Sequence, residues 1–470
     1  MDIFLSVVAL LLVLAAGFGV SLLLMPAGRQ TGIIEVGCLS FLFGTGVVSL
    51  SSFCLGFVFS GSILRWLVTF VCISLGAIAI RIRQRRGILI ELSAPCSMRA
   101  ILCSVVSLIQ VAVVVWITIY SILGWDGLMI WEVKARLAFV NGGSVPISYF
   151  SDLAQEWTHH EYPLYLPLTE AWLYAWLGRS DQGLVKLVFP LFYIVAAGLL
   201  YTGGVRLSGQ KWKGFTAAAL LFFVPLVISR GGSVPSGYND FPLAVFYLAS
   251  VIYMAEYIDS SARGALRLAS GLVALSIWVK PEGVILWFVV LALVMVKALR
   301  DRDWKALLTI ILPGAVFFGG WKVFLTAVKC PPWALFLPLT PANLWMNLDR
   351  VKVLAQWVGS EMINWKTWNI LWPVLIFALL SLGKEMRRGK YLSLAASVFL
   401  PLLLFVSTYI FTNLQPFLLH VESSLPRLML SPCLVGVLIV SLGIPAPGKK
   451  PTVEYESSMS DSHSPVSLNM

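Results

Sequence analysis

Charged residues are scarce in this sequence, and the informative ones fall where an apolar run begins or ends. Asp126 follows such a run directly, in Gly124-Trp125-Asp126-Gly127. A carboxylate at the mouth of an apolar helix, level with lipid headgroups, can act as a base on an arriving substrate; its plainer role is a polar residue ending a helix. Asp240 closes the loop Arg230-Gly231-Gly232-Ser233-Val234-Pro235-Ser236-Gly237-Tyr238-Asn239 and opens the next run at Phe241-Pro242. That position suits an N-cap, worth about 1 kcal/mol, and capping does not exclude a second role. In Trp278-Val279-Lys280-Pro281-Glu282-Gly283 a cation and an anion share a hairpin between two apolar runs. Lys280 can hold a phosphate there as a point charge. Its plainer role is an exposed ion pair with Glu282, which would contribute little stability.

Two further clusters stand out. His159-His160-Glu161-Tyr162-Pro163 places two imidazoles beside a carboxylate. The pattern lacks the i, i+4 spacing of H-E-x-x-H, which puts both rings on one helix face for a metal. Substrate contact or helix-start chemistry suits it better. His420-Val421-Glu422-Ser423-Ser424-Leu425-Pro426-Arg427 opens the last apolar run. A cation in the first turn of a helix is disfavoured by the dipole, so Arg427 calls for an anionic partner, either Glu422 or a ligand phosphate. Arg230 is a weaker candidate for the same task. If a divalent ion is used, Asp126 and Asp240 are its candidate ligands. The cysteines, Cys38, Cys54, Cys72, Cys96, Cys103, Cys330 and Cys433, form no CxxC or Cys/His pattern and read as small hydrophobes.

The elements that must position these residues follow from composition. Of 470 residues, 59% are apolar and 12% charged, whereas an ordinary soluble domain has about 45–50% and about 25%. A mean hydropathy of +0.86 cannot be hidden in one soluble core. A soluble enzyme, a disordered chain and a secreted disulfide scaffold are excluded, and nothing points to nucleic acid. The expectation is an all-α polytopic membrane protein whose first partner is the lipid bilayer. Apolar runs of spanning length, about 20 residues, occur at 3–25, 33–57, 62–80, 98–124, 184–205, 213–229, 241–258, 264–280, 283–299, 306–326, 369–383, 391–411 and 425–442. These make about 13 transmembrane helices. The first is read as a retained helix rather than a signal peptide, because Asp2 is acidic and the run is long.

Charge decides the doubtful run 164–178, which contains Glu170. Basic clusters such as Arg81/Arg83/Arg85/Arg86 and Lys384/Arg387/Arg388/Lys390 mark the cytoplasmic side. If 164–178 does not cross, all such clusters share one side and carry the chain's whole excess of +11. It is therefore expected to be a re-entrant or interfacial helix. Two long segments, 125–183 and 327–368, then lie outside, with the shorter loops 230–240 and 412–424. Residues 343–358 have an apolar stripe at helical spacing and suit an amphipathic helix at the interface. Residues 128–141 read as helical too. Trp333, Trp345, Trp357, Trp365 and Trp368 suit an interfacial belt. The polar stretch 443–470 reads as a disordered cytoplasmic tail.

These residues, in this order, resemble the membrane glycosyltransferases of the GT-C superfamily, and most of all the protein-mannosyltransferase and aminoarabinose-transferase branch with its bacterial relatives. The likeness is carried by GWDGLMIWEVKARLAF, HHEYPLYLPLTEAWLYAWLG, SGYNDFPLAVFYLAS and WVKPEGVILW, with LPRLMLSPCL adding support. It covers roughly 98–442. The resemblance divides the chain into three additional N-terminal helices (1–97), a core with outer acidic loops (98–330), an outer amphipathic segment with the last three spanning helices (331–442) and the tail (443–470). It implies that Asp126 matches the acidic residue of the family's first outer loop and Asp240 the second acidic position. It implies a polyprenyl-phosphate-linked sugar as donor, a glycan, lipid or protein as acceptor, and work on the extracytoplasmic face, here of a bacterial inner membrane. The chain departs from the family in the three helices ahead of the core.

The expected chemistry is direct displacement at the anomeric carbon, with inversion. A polyprenyl phosphate leaves as a low-pKa anion and needs no general acid, unlike the alkoxide released in glycoside hydrolysis. One carboxylate and several cations then suffice: Asp126 as base, Lys280, Arg427 and Arg230 toward the phosphate, Asp240 to orient the acceptor. Glu282, His159, His160, Glu161, Tyr162 and His420 complete the candidate substrate contacts. The competing expectation is a transporter or flippase of a lipid-linked sugar or small solute, which would place ionisable residues near the bilayer midplane and show internal repeats. Two more readings compete with these: a silent glycolipid-binding scaffold, and a glycan ligase or polymerase using lipid pyrophosphates.

Overall fold

A lipid-exposed segment must satisfy its backbone hydrogen bonds internally, so apolar runs of this length fold as helices. The computed structural model describes residues 1–91, 97–229, 231–332 and 335–445, and these are helical almost throughout. Three N-terminal helices, α1 (Asp2–Leu24), α2 (Ile33–Leu55) and α3 (Gly61–Arg86), pack on one another. A short parallel ladder of β1 (Gln30–Gly32) with β2 (Leu89–Glu91) ties the α1–α2 link to the stretch after α3. Then come α4 (Met98–Tyr120), a π-helix at Gly127–Glu132, α5 (Val133–Val140) and α6 (Tyr165–Leu177). The chain continues through α7 (Gln182–Val185), α8 (Val188–Ser208), α9 (Lys211–Leu220) and α10 (Leu226–Ser229). The central pair is α11 (Asp240–Ser260) and α12 (Arg263–Val279), flanked by α13 (Gly283–Arg300) and α14 (Trp304–Ala327). Short α15 (Pro341–Met346), α16 (Arg350–Met362) and α17 (Trp365–Trp368) precede α18 (Leu371–Ser381), α19 (Gly389–Thr408), α20 (Phe417–Leu428) and α21 (Leu430–Gly443).

Ten segments among the described residues are long and apolar enough to cross a membrane, eleven if the bent α9–α10 pair is one span. The chain is a multi-pass membrane protein. Three of the thirteen apolar runs fall short of that length. The run 213–229 breaks at Val224-Pro225 and bends by 50°, because proline withholds an N–H and disfavours helix at the residue before it. The run 264–280 gives the 17-residue α12, and 369–383 gives the 11-residue α18, which starts afresh after Asn369 at φ +54°. The doubtful 164–178 folds as the 13-residue α6, wrapped by α1, α2 and α5. Its Trp172 donates to the Ala9 carbonyl at 3.3 Å and its Tyr165 hydroxyl to Thr45 Oγ1 at 2.7 Å. Protein on all sides makes so short a helix tolerable at membrane depth.

The segment 327–368 differs from expectation in two places. The stretch 343–358 is not one helix: Asn347 ends α15, and α16 begins at Arg350. Arg350 is buried, and its guanidinium donates to the carbonyls of Ile410 (3.1 Å) and Thr412 (3.0 Å) at the end of α19. Trp345 and Trp365 are exposed as an interfacial belt requires, but Trp368 is fully buried, its indole donating to Glu361 at 2.9 Å. Trp333 and Cys96 lie outside the described residues, as does most of the expected tail, 446–470. The described cysteines are free thiols, with Cys54 exposed and Cys38, Cys72 and Cys433 buried.

The two ends of the bundle are built differently. At one end, Arg86 and Arg267 cap the carbonyls that finish α1, and Lys213 caps α21 at Leu442. Cations are favoured at helix C-termini. At the other end, the links after α4, before α11, between α12 and α13 and before α20 converge around a cavity.

Candidate functional site

That cavity has a volume of about 820 Å³. It forms because two loops touch backbone to backbone. The Gly124 amide donates to the Ser236 carbonyl at 2.8 Å. A Cβ on Gly127 would lie 2.3 Å from the same oxygen, so only glycine permits the approach. Asp126 stands between these two glycines, where a π-helix begins; such helices are frequent at functional sites. The contact delivers Asp126 beside Asp240, 114 residues later in the chain.

Asp240 is the first residue of α11 rather than its cap, a position held by Asn239. The N-cap role is thereby corrected. The reason is competition: the Asp240 carboxylate is buried and taken by two cations, Lys280 Nζ at 2.8 Å and Arg427 Nη2 at 3.1 Å. Asn239 instead uses its amide to tie the loop to the Val279 carbonyl at 2.7 Å. Lys280 also reaches Glu282 at 2.8 Å, and in this pair Lys280 is buried and Glu282 half-buried, not exposed. Burial alone would push the Lys280 ammonium down; Asp240 and Glu282 outweigh it and hold the group above its ordinary value.

Among the described residues Arg427 pairs with two carboxylates other than Glu422, and its place in the helix differs from the one expected. α20 begins at Phe417, so Arg427 lies in its last turn, where the dipole favours a cation. Its partners are Asp126 at 2.7 Å and Asp240 at 3.1 Å, and its guanidinium lies over the Tyr238 ring at 4.7 Å. Five charged groups from four parts of the chain thus meet: Asp126, Asp240, Lys280, Glu282 and Arg427. One buried carboxylate oxygen, Glu282 Oε2, has no partner among the described residues. Buried acceptors are nearly always satisfied, so this one marks where a donor is wanted.

His159, Glu161, Tyr162 and His420 also line the cavity. His159 stacks on Tyr162 at 4.5 Å, and Tyr162 on Trp131 at 5.5 Å. Burial first, then Glu282 and Glu161, raise the Tyr162 phenol well above its usual range, so it stays a donor. His420 Nδ1 is 2.8 Å from Thr412 Oγ1. His160 points the other way. It is buried edge-on to Tyr149, both ring nitrogens are without partners among the described residues, and it does not line the cavity. Burial and nearby Lys134 push its imidazole down, leaving it neutral. Arg230 lies outside the described residues.

Both acidic candidates for a divalent ion already share the Arg427 guanidinium, and a metal would have to displace it. No group of three or more His, Cys, Asp or Glu side chains suited to a metal occurs among the described residues.

The structure adds residues that spacing did not mark. Lys134 is fully buried behind the aromatic wall, donates to the His159 carbonyl at 2.7 Å and sits near the Trp131 and Tyr162 rings. Burial lowers its ammonium to about 7 despite Glu161. Lys134 belongs to a greasy stretch with charges at every second position, which hides an inward-facing lysine. Tyr238 sits in the glycine-rich loop, where an aromatic is a visible but ambiguous sign. No family model matches the chain. No curated protein matches it either.

Proposed function

We propose that the chain is a membrane glycosyltransferase that moves a sugar from a polyprenyl-phosphate-linked donor to an acceptor on the extracytoplasmic face, with inversion. The observation that supports this reading is the meeting of Asp126 and Asp240 in one cavity, beside Lys280 and Arg427, at one end of the bundle. A pump or flippase would call for such groups near the midplane. In this reading α12, α18 and the bent α9–α10 pair cross as well, which makes about 13 spans, and the cavity faces away from the cytoplasm of a bacterial inner membrane.

The residues then divide the work. Asp126 accepts the proton of the acceptor hydroxyl as the oxygen attacks the anomeric carbon and the bond from that carbon to the phosphate oxygen breaks. A positioned base contributes about 10²–10⁴-fold. As Asp126 is protonated its hold on Arg427 weakens, and the guanidinium is released toward the charge building on the phosphate. Asp240, with Lys280, keeps Arg427 in place through this exchange. His159 and Tyr162, backed by Trp131, offer aromatic surface to a sugar ring, and the Glu282 carboxylate on the cavity wall offers an acceptor for its hydroxyls. The test is purified protein with a panel of polyprenyl-phosphate sugars, scored by release of free polyprenyl phosphate. Release that is absent across the panel, or that survives undiminished in Asp126→Asn, removes the assignment.

A further inference from the structure

The cavity wall carries seven formally charged side chains: the carboxylates of Asp126, Glu161, Asp240 and Glu282 against the cations Lys280, Lys322 and Arg427. An anionic headgroup therefore enters a chamber with more acid than base. Two of the three cations are already engaged. Lys280 is closed between Asp240 and Glu282, and Arg427 between Asp126 and Asp240. Either could grip a resting phosphate only by abandoning a buried carboxylate, and a buried charge stripped of its partner is strongly destabilising.

Lys322 is different. Among the described residues its ammonium makes no ion pair and no hydrogen bond; the Thr326 hydroxyl donates to its backbone carbonyl, not to its side chain. It is exposed and sits five residues before the end of α14, about 8 Å along the axis at 1.5 Å per residue. Leu325 and Thr326, on the same helix, face the cavity with it, whereas Val316 and Val323 are exposed on the apolar outer surface. Lys322 thus stands on the seam between chamber and lipid. A lysine there lays its stem along apolar surface and holds its ammonium at headgroup depth.

We infer that Lys322 is the residue that receives the phosphate of a single-chain lipid phosphate at the lateral mouth of the cavity, before the sugar reaches Asp126. This rests on the lipid-phosphate donor proposed above. The phosphate meets three free N–H donors and an uncompensated charge at the seam, while its chain stays in the bilayer and its sugar points inward.

The experiment is a tryptophan-fluorescence titration of the full chain in neutral detergent, with farnesyl phosphate, farnesol and inorganic phosphate as probes. Wild type should prefer farnesyl phosphate to farnesol. Lys322→Ala should lose about tenfold affinity for farnesyl phosphate, the scale of one charge-assisted hydrogen bond, and none for farnesol; Lys322→Arg should retain the preference. Inorganic phosphate at matched concentration should not compete. Lys322→Ala with the preference intact, or inorganic phosphate competing as well as the lipid, overturns the assignment to Lys322 and leaves the donor class standing. A wild type that does not distinguish farnesyl phosphate from farnesol overturns the donor class itself.

Discussion

Among the described residues, two networks of largely buried ion pairs sit at opposite ends of this bundle, and one of them lines the cavity. At the far end, Glu35 of α2 receives Arg29 at 3.1 Å and Arg206 of α8, and Glu256 of α11 receives Arg29 at 3.2 Å and Arg206 at 3.6 Å. Tyr253 and Thr31 add hydrogen bonds to Glu35 at 2.8 Å each. Two cations meet two anions, and the carboxylate of Glu35 is saturated. At the cavity end, Lys280 and Arg427 serve three carboxylates, and an oxygen of Glu282 is left over. The ion pair as such is therefore no mark of chemistry. A neutral network braces α2 against α8 and α11, its Glu35 carboxylate filled although Arg29 Nε has no partner among the described residues, whereas the unbalanced one lines a cavity with an acceptor oxygen to spare.

The largest test of that contrast is Asp126→Asn. Transfer should fall by about 10²–10⁴-fold while the unfolding temperature hardly moves, because Arg427 keeps Asp240. Glu35→Gln should do the reverse, lowering stability by about 3 kcal/mol, the usual cost of breaking a buried pair, with kcat of the folded fraction unchanged. Loss of kcat at unaltered thermal stability would show that the brace reaches the chemistry. Arg427→Lys should reduce kcat by about tenfold, since a compact ammonium cannot fork between Asp126 and Asp240; a steady-state assay with the donor in excess reads it.

The last test is a slope. Lys134 has its ammonium lowered to about 7 in the fold, against about 10.4 in an unfolded chain. Between those values the unfolded state binds more protons, so stability rises with pH through that window. Below about 7 both states are protonated and the dependence vanishes. Thermal unfolding from pH 7 to 10 should show this rise in wild type, and Lys134→Met should flatten it.

Much of the site is legible in the sequence for one physical reason. A charge at the end of an apolar run is costly unless it is partnered or used, which singles out Asp126, Asp240, Lys280 and Arg427. Their pairing is not legible, because Asp240 and Arg427 are 187 residues apart and nothing local selects Asp240 over Glu422. Capping, too, is a local rule that tertiary competition overrode at Asp240. Lys322 carries the same signal of a lone charge in an apolar run, yet its value lies in lacking a partner, which is a property of the folded chain. Helix lengths are less readable at Pro225, which breaks a helix inside an unbroken apolar stretch, and after Asn369, where the apolar run begins but its helix is short.

Arg350 ties a short helix to the interior. The helix that it begins is anchored to the carbonyls of Ile410 and Thr412, and the Thr412 hydroxyl in turn steadies His420. A displacement of α16 is therefore passed through one arginine and one threonine to an imidazole that lines the cavity.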